Sequence, residues 1–212
     1  MSGILDLLNS DLGKTIISGV SNQTGQPADK TSSVLTMALP VLMGAMKRNA
    51  STPEGAAGLM GALSSKHDGS ILDNLGGLFS GGVDQSVMDD GAGILGHVLG
   101  SSESNVTNAL SQKTGMSSES VMQILKIAAP IIMGYLGKQS RQNNVSNSNG
   151  IGDLLGGLLG GGTGAPQQQT LIESLLDGDG DGSILDDVAG MVLGGSQKKG
   201  GLGGLLGGLF GK

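Results

Sequence analysis

The sequence predicts an all-α protein made of two homologous helical halves, an A–B–A–B repeat of short helices, with a flexible Gly-rich linker and tail. Three observations predict it. Two segments recur within the chain at fixed offsets. Apolar residues in both recur at helical rather than alternating spacing. Glycines, prolines and hydroxyl residues stand where helices begin and end.

The first repeated unit, A, pairs Thr24-Gly25 with Thr114-Gly115, Pro40 with Pro130 and Met43-Gly44 with Met133-Gly134, each offset by 90. Gly25 and Gly115 read as C-caps that end one helix, and Ser117 as the N-cap of the next. From Val34 to Met46 almost no polar face is left, so that helix is expected to be central and buried. Pro40 and Pro130 are expected to kink it or to begin a second helix. The Pro-x-x-Met-Gly pattern lets a neighbouring helix approach closely.

The second unit, B, pairs His67-Asp-Gly-Ser-Ile-Leu-Asp-Asn74 with Gly180-Asp-Gly-Ser-Ile-Leu-Asp-Asp187, at an offset of 113. It reads as helix, loop, helix. Leu171, Ile172, Leu175 and Leu176 form one apolar face, and Ile184, Leu185, Val188, Met191 and Val192 the other. In the first copy the second face is Ile71, Leu72, Leu75, Leu78 and Phe79. Ser70 with Asp73, and Ser183 with Asp186, have the spacing of a capping box. The offsets differ by 23, so the second half carries an insertion of about that size, and the polar and glycine-rich residues 139–164 fit it. The expected organisation is a first repeat over 1–93, unit A of the second repeat over 94–138 and a Gly/Ser/Asn-rich linker over 139–165. Unit B with its acidic loop follows over 166–194, and a Gly-Leu tail over 195–212.

Composition narrows the function. At 212 residues the chain holds one or two domains, on a prior of roughly 150 residues each. It has no Cys, which excludes disulfides and thiol chemistry. Twelve basic residues stand against 18 acidic ones, and the aromatics are Phe79, Tyr135 and Phe210 alone. That balance argues against nucleic acid, which needs a basic face and stacking platforms. The N-terminus lacks the basic and apolar regions of a signal peptide, and the apolar runs fall short of about 18 residues. The expectation is a cytoplasmic protein, with leaderless export compatible.

The paired Asp-Gly-Ser-Ile-Leu-Asp segments, Gly93-Ile-Leu-Gly-His-Val-Leu99 and the Ala-Pro-Ile-Ile-Met-Gly helix resemble the YidB-like bacterial domains, a domain of unknown function. The resemblance covers about residues 1–140 and returns near 170–193. It implies a small all-helical fold and no established enzyme activity. It does not extend to the glycine-rich 150–162 and 198–212 segments.

One constellation carries specific chemistry. Asp177, Asp179 and Asp181, followed by Gly182 and Ile184, match the start of an EF-hand-type loop, and the carbonyl of Ser183 can add a ligand for Ca2+. Val188 stands where a full loop has its bidentate Glu, and Asp186 or Asp187 would close a shortened site. The first copy has Ser64 and Lys66 in place of Asp177 and Asp179, so one site at most is expected. The alternative is an acidic loop that stabilises a helix N-terminus through its dipole. His67 and His97 lack the companions of a zinc site and read as capping or surface residues.

No nucleophile elbow or P-loop is present, so an enzyme is the minority reading. The sequence favours a non-enzymatic interaction or scaffold protein, acting on a protein partner or on itself, with one calcium loop. The rival is a membrane-associating or self-assembling protein. It would act through the tail, where Leu202, Leu205, Leu206, Leu209 and Phe210 recur at helical spacing.

Overall fold

A computed structural model describes residues 4–145 and 147–160. The fold is all-α. In chain order it runs α1 (Ile4–Asn9), α2 (Asp11–Thr24), α3 (Ala28–Asn49), α4 (Pro53–Ser65), α5 (Ser70–Asp73) and α6 (Leu75–Ser80). It continues with α7 (Gln85–Leu99), a single 3-10 turn (Gly100–Ser102), α8 (Glu103–Thr114), α9 (Ser118–Gln142) and α10 (Ser148–Gly160).

The two A units are helical hairpins, α2–α3 and α8–α9, with the same corner. Gly25 sits at φ 63°, ψ 23° and Gly115 at φ 65°, ψ 25°, the left-handed region that a Cβ disfavours. Their N–H groups donate to the carbonyls of Ser21 and Ser111. The Ser21 hydroxyl donates to the Gln26 carbonyl at 2.5 Å, and the Ser111 hydroxyl to the Met116 carbonyl at 2.6 Å. Every corresponding pair is offset by 90. The expected N-cap of α9 is also present, since Ser117 Oγ accepts from Ser120 N–H at 3.1 Å.

The hairpins pack reciprocally. α2 lies on α9, α8 lies on α3, and α3 and α9 touch each other. Their shared interior is apolar: Val34, Leu35, Leu39 and Leu42 from α3 meet a core with Val121, Ile124, Leu125 and Leu136 from α9. Pro40 and Pro130 lie inside continuous helices and begin no new ones. Each forgoes one backbone hydrogen bond, of the order of 1 kcal/mol net. Burial of the flanking helix on both sides holds the helix together across that gap.

α9 is the hub, touching α2, α3, α4, α5, α7, α8 and α10. Its 25 residues make it, among the described residues, the one helix long and apolar enough to cross a membrane, with 72% of its most apolar window buried in this fold. The sequence reading placed its apolar run below spanning length, because polar residues at both ends complete the helix.

Three expectations are corrected. First, residues 139–165 are not wholly linker: Ser148–Gly160 form α10, which lies on α3 and α4. Burial of Ile151, Leu154, Leu155 and Leu158 offsets the roughly 1 kcal/mol that each glycine costs a helix. Second, α7 runs through the boundary placed at residue 93, because its Ile94, Leu95, Val98 and Leu99 continue the buried face. Third, Ser70 is not the N-cap of its helix. Gly69 occupies that position at φ 103°, and the Asp68 carboxylate accepts from Ser70 N–H at 3.0 Å.

Candidate functional site

Several helical glycines in this fold act as seats for neighbours. A Cβ at Gly19 would strike the ring of Phe79, one at Gly134 would strike Ile71, and one at Gly137 would strike the His67 carbonyl. The last two show how the first B unit is attached: its loop lies on the glycine side of α9. Lys138 and Arg141 then reach across to Asp73 at 3.9 Å and Asp68 at 3.2 Å. The Asp68 carboxyl is held below its usual range by the Ser70 hydrogen bonds and then by Arg141. The close approach expected at the Met-Gly pairs is thus realised at Gly134. Nothing lies within 4 Å of a Cβ at Gly44.

With its loop fixed, α4 stands apart from α7, and a cleft of about 1120 Å³ opens between them. Met46 of α3 and Met133 of α9 form its floor, and Ile94 and Val98 of α7 its apolar wall. Gly58 on α4 and Gly93 on α7 face into it, and nothing lies within 4 Å of a Cβ built at either.

Polar groups fasten both ends. At one end Asn49 Nδ2 donates to the carbonyls of His97 and Val98 at 3.0 and 3.2 Å, taking up the last turn of α7. At the other, Lys66 Nζ meets Asp90 Oδ1 at 2.5 Å, and His67 Nε2 lies 3.7 Å from Asp90 Oδ2. His67 is only 6% exposed. Burial lowers its pKa, with Lys66 adding to the effect and Asp90 opposing it. A neutral imidazole therefore sits between a cation and an anion. Asp90 and His97 are seven residues apart, so the open stretch runs about 10 Å along α7.

Both histidines therefore line one cleft, a convergence that sequence reasoning missed. His67 and His97 stand 30 residues apart on separate elements, with no local spacing to join them. Among the described residues no cluster of three or more His, Cys, Asp or Glu is placed to hold a metal ion. The predicted calcium ligands Asp177, Asp179, Asp181, Ser183, Asp186 and Asp187 lie outside the described residues, as do unit B of the second half and the tail.

Comparison with curated proteins and with solved structures gives no match. A family model does match, over residues 6–139 and again over 143–212. Those two matches span nearly the whole chain, which belongs to DUF937, a family of bacterial proteins of unknown function.

Proposed function

We propose that this is a non-enzymatic docking protein whose α4–α7 cleft receives an apolar helix. The cleft itself carries the reading: an apolar floor of Met46 and Met133, polar fastenings only at the ends, and unfilled glycines on both walls. Gly58 and Gly93 are exposed on the two walls, and small residues on facing walls let a helix approach to short interaxial distance.

A synthetic peptide of the α10 sequence, SNGIGDLLGGLLG, tests the reading. Added to the methyl-labelled protein, it should shift the Met46 and Met133 signals saturably, and Gly93→Leu should remove the effect. Unmoved Met46 and Met133 signals at saturating peptide would end the docking reading.

The acidic loop at Asp177–Asp187 belongs to the proposal as a separate element: a single Ca2+ site that orders the second B unit. Its support is the spacing of Asp177, Asp179 and Asp181 and the loss of those ligands from the first copy. In the matching segment His67–Asn74, Asp68 accepts from Ser70 N–H just ahead of the helix and pairs with Arg141.

A further inference from the structure

We infer that the outer face of α3 around Gly44 docks a segment of a second protein, one that presents an aliphatic side chain followed two residues on by a carboxylate. The inference is separate from the cleft and rests on the internal repeat. α3 and α9 are corresponding helices of the two hairpins, offset by 90, so their faces can be compared position by position. Met37, Pro40 and Gly44 on α3 correspond to Ile127, Pro130 and Gly134 on α9. The α9 residues are all buried. Their α3 counterparts are half-buried, and nothing lies within 4 Å of a Cβ at Gly44. One copy of the face is covered and the other is open.

The cover on α9 shows what such a face takes. Ile71 rests on Gly134, and its Cγ2 occupies the space where a Cβ would stand. Two residues on from Ile71, Asp73 reaches Lys138 at 3.9 Å, one helical turn beyond the glycine. The contact is therefore an aliphatic group in a glycine seat with an acid meeting a cation four residues further along the helix.

α3 keeps both parts of that contact. Gly44 is the seat, and Arg48 stands four residues on, in the place of Lys138. Lys47 replaces Gly137, which removes the seat of the His67 carbonyl and adds a second cation. Lys47 and Arg48 are exposed, and among the described residues neither forms an ion pair. Two unpaired cations beside an open glycine select an acidic, aliphatic segment. The described Ile-x-Asp segments are already committed. Ile71 is seated on α9, and Ile4 and Ile151, followed by Asp6 and Asp153, are buried in the chain's own core. A second copy with the same fold has the same segments committed, so the occupant comes from a different protein.

A capped peptide with the sequence of Asp68–Asn74 is the probe. Added to the full-length, isotope-labelled protein, it should move the backbone amide signals of Gly44 and Arg48 saturably. The signals of Gly134, in the covered seat, and of Gly93, in the cleft, should stay in place. Gly44→Leu fills the seat and should abolish the shift at Arg48, with circular dichroism melts to confirm that the variant is folded. Arg48→Glu, an exposed change, should weaken the peptide about fivefold. A peptide carrying Asp73→Lys should bind Arg48→Glu better than it binds wild type, a reversal that a merely structural role of Arg48 would not give. A peptide carrying Ile71→Ser should not bind.

Gly44 and Arg48 signals that stay put at millimolar peptide overturn the inference, as does binding that survives Gly44→Leu or ignores the charge swap. Signals that move with protein concentration alone would make the face a contact between copies of this chain. Peptide binding that appears only after Ile184→Asp would give the face to the chain's own repeated Asp-Gly-Ser-Ile-Leu-Asp at 181–186. Either of these results also ends the proposal of a separate partner. The cleft is read at Met46 and Met133 and this face at Gly44, so the failure of one leaves the other standing.

Discussion

Gly91 of α7 lies against the backbone carbonyl of Lys126 in α9, so closely that a Cβ at Gly91 would overlap the oxygen. That carbonyl is the one that Pro130, four residues on and without an N–H, leaves with no helical donor. The proline opens a gap in the hydrogen-bond ladder of α9, and the glycine lets α7 pack into it.

Gly91→Ala should therefore destabilise the fold by about 1–3 kcal/mol, through overpacking against backbone that cannot move aside. Gly93→Ala, two residues along the same helix but facing open space, should be neutral or stabilising by up to about 1 kcal/mol. Urea unfolding of the two variants checks the contrast, and equal losses would mean that the α7–α9 approach is looser than described.

Thr31 is fully buried, and its hydroxyl has no hydrogen-bond partner. The corresponding residue of the second hairpin, 90 positions on, is Val121, which is also fully buried. Thr31→Val keeps the shape and removes the uncompensated hydroxyl. It should raise stability by about 1 kcal/mol, read as a higher urea midpoint at unchanged slope. A lower midpoint would show that the hydroxyl is satisfied.

His67 gives the fold a pH dependence whose sign is fixed by burial. Its pKa in the folded state is below the ordinary value of 6.5, so the unfolded chain takes up the proton first. The associated stability is complete above 6.5 and is lost as pH falls toward and through the lowered folded value. Unfolding free energies measured across that window should fall on acidification in wild type and fall less steeply in His67→Gln. Parallel curves would remove His67 from the account.

Calorimetric titration with Ca2+ should give saturable heat for wild type and none for the Asp179→Ala, Asp181→Ala double variant. At a hundredfold excess over Kd, calcium should stabilise the binding unit by about 2.7 kcal/mol. Absence of both heat and thermal shift would leave Asp177 to Asp187 as acids that stabilise a helix N-terminus.

What was legible in the sequence was local. Gly25, Gly115 and Ser117 announced their caps because capping is decided within one helical turn. The run from Val34 to Met46 announced a buried helix because no polar stripe interrupts it. Tertiary packing was not legible. α10 is a poor helix by its glycines and forms because α3 and α4 offer a seat for its leucines. Ser70 had the spacing of a cap, but Gly69 takes the cap position and Asp68 accepts from Ser70 N–H. The cleft was invisible because His67, Asp90, Met46 and Met133 come from four different elements.

The central position of α9 also constrains the order of events during synthesis. α2, α3, α4, α5 and α7 all rest on it, yet they leave the ribosome first. A nascent chain that has reached α7 carries the apolar face of α3 with part of its cover, α9 included, still unmade. That cover arrives only when residue 142 has cleared the exit tunnel, and at about 5–20 residues per second the wait lasts several seconds. During that interval the growing polypeptide depends on chaperones or on slow translation ahead of α9, and a premature stop before it should yield aggregates rather than a smaller folded protein.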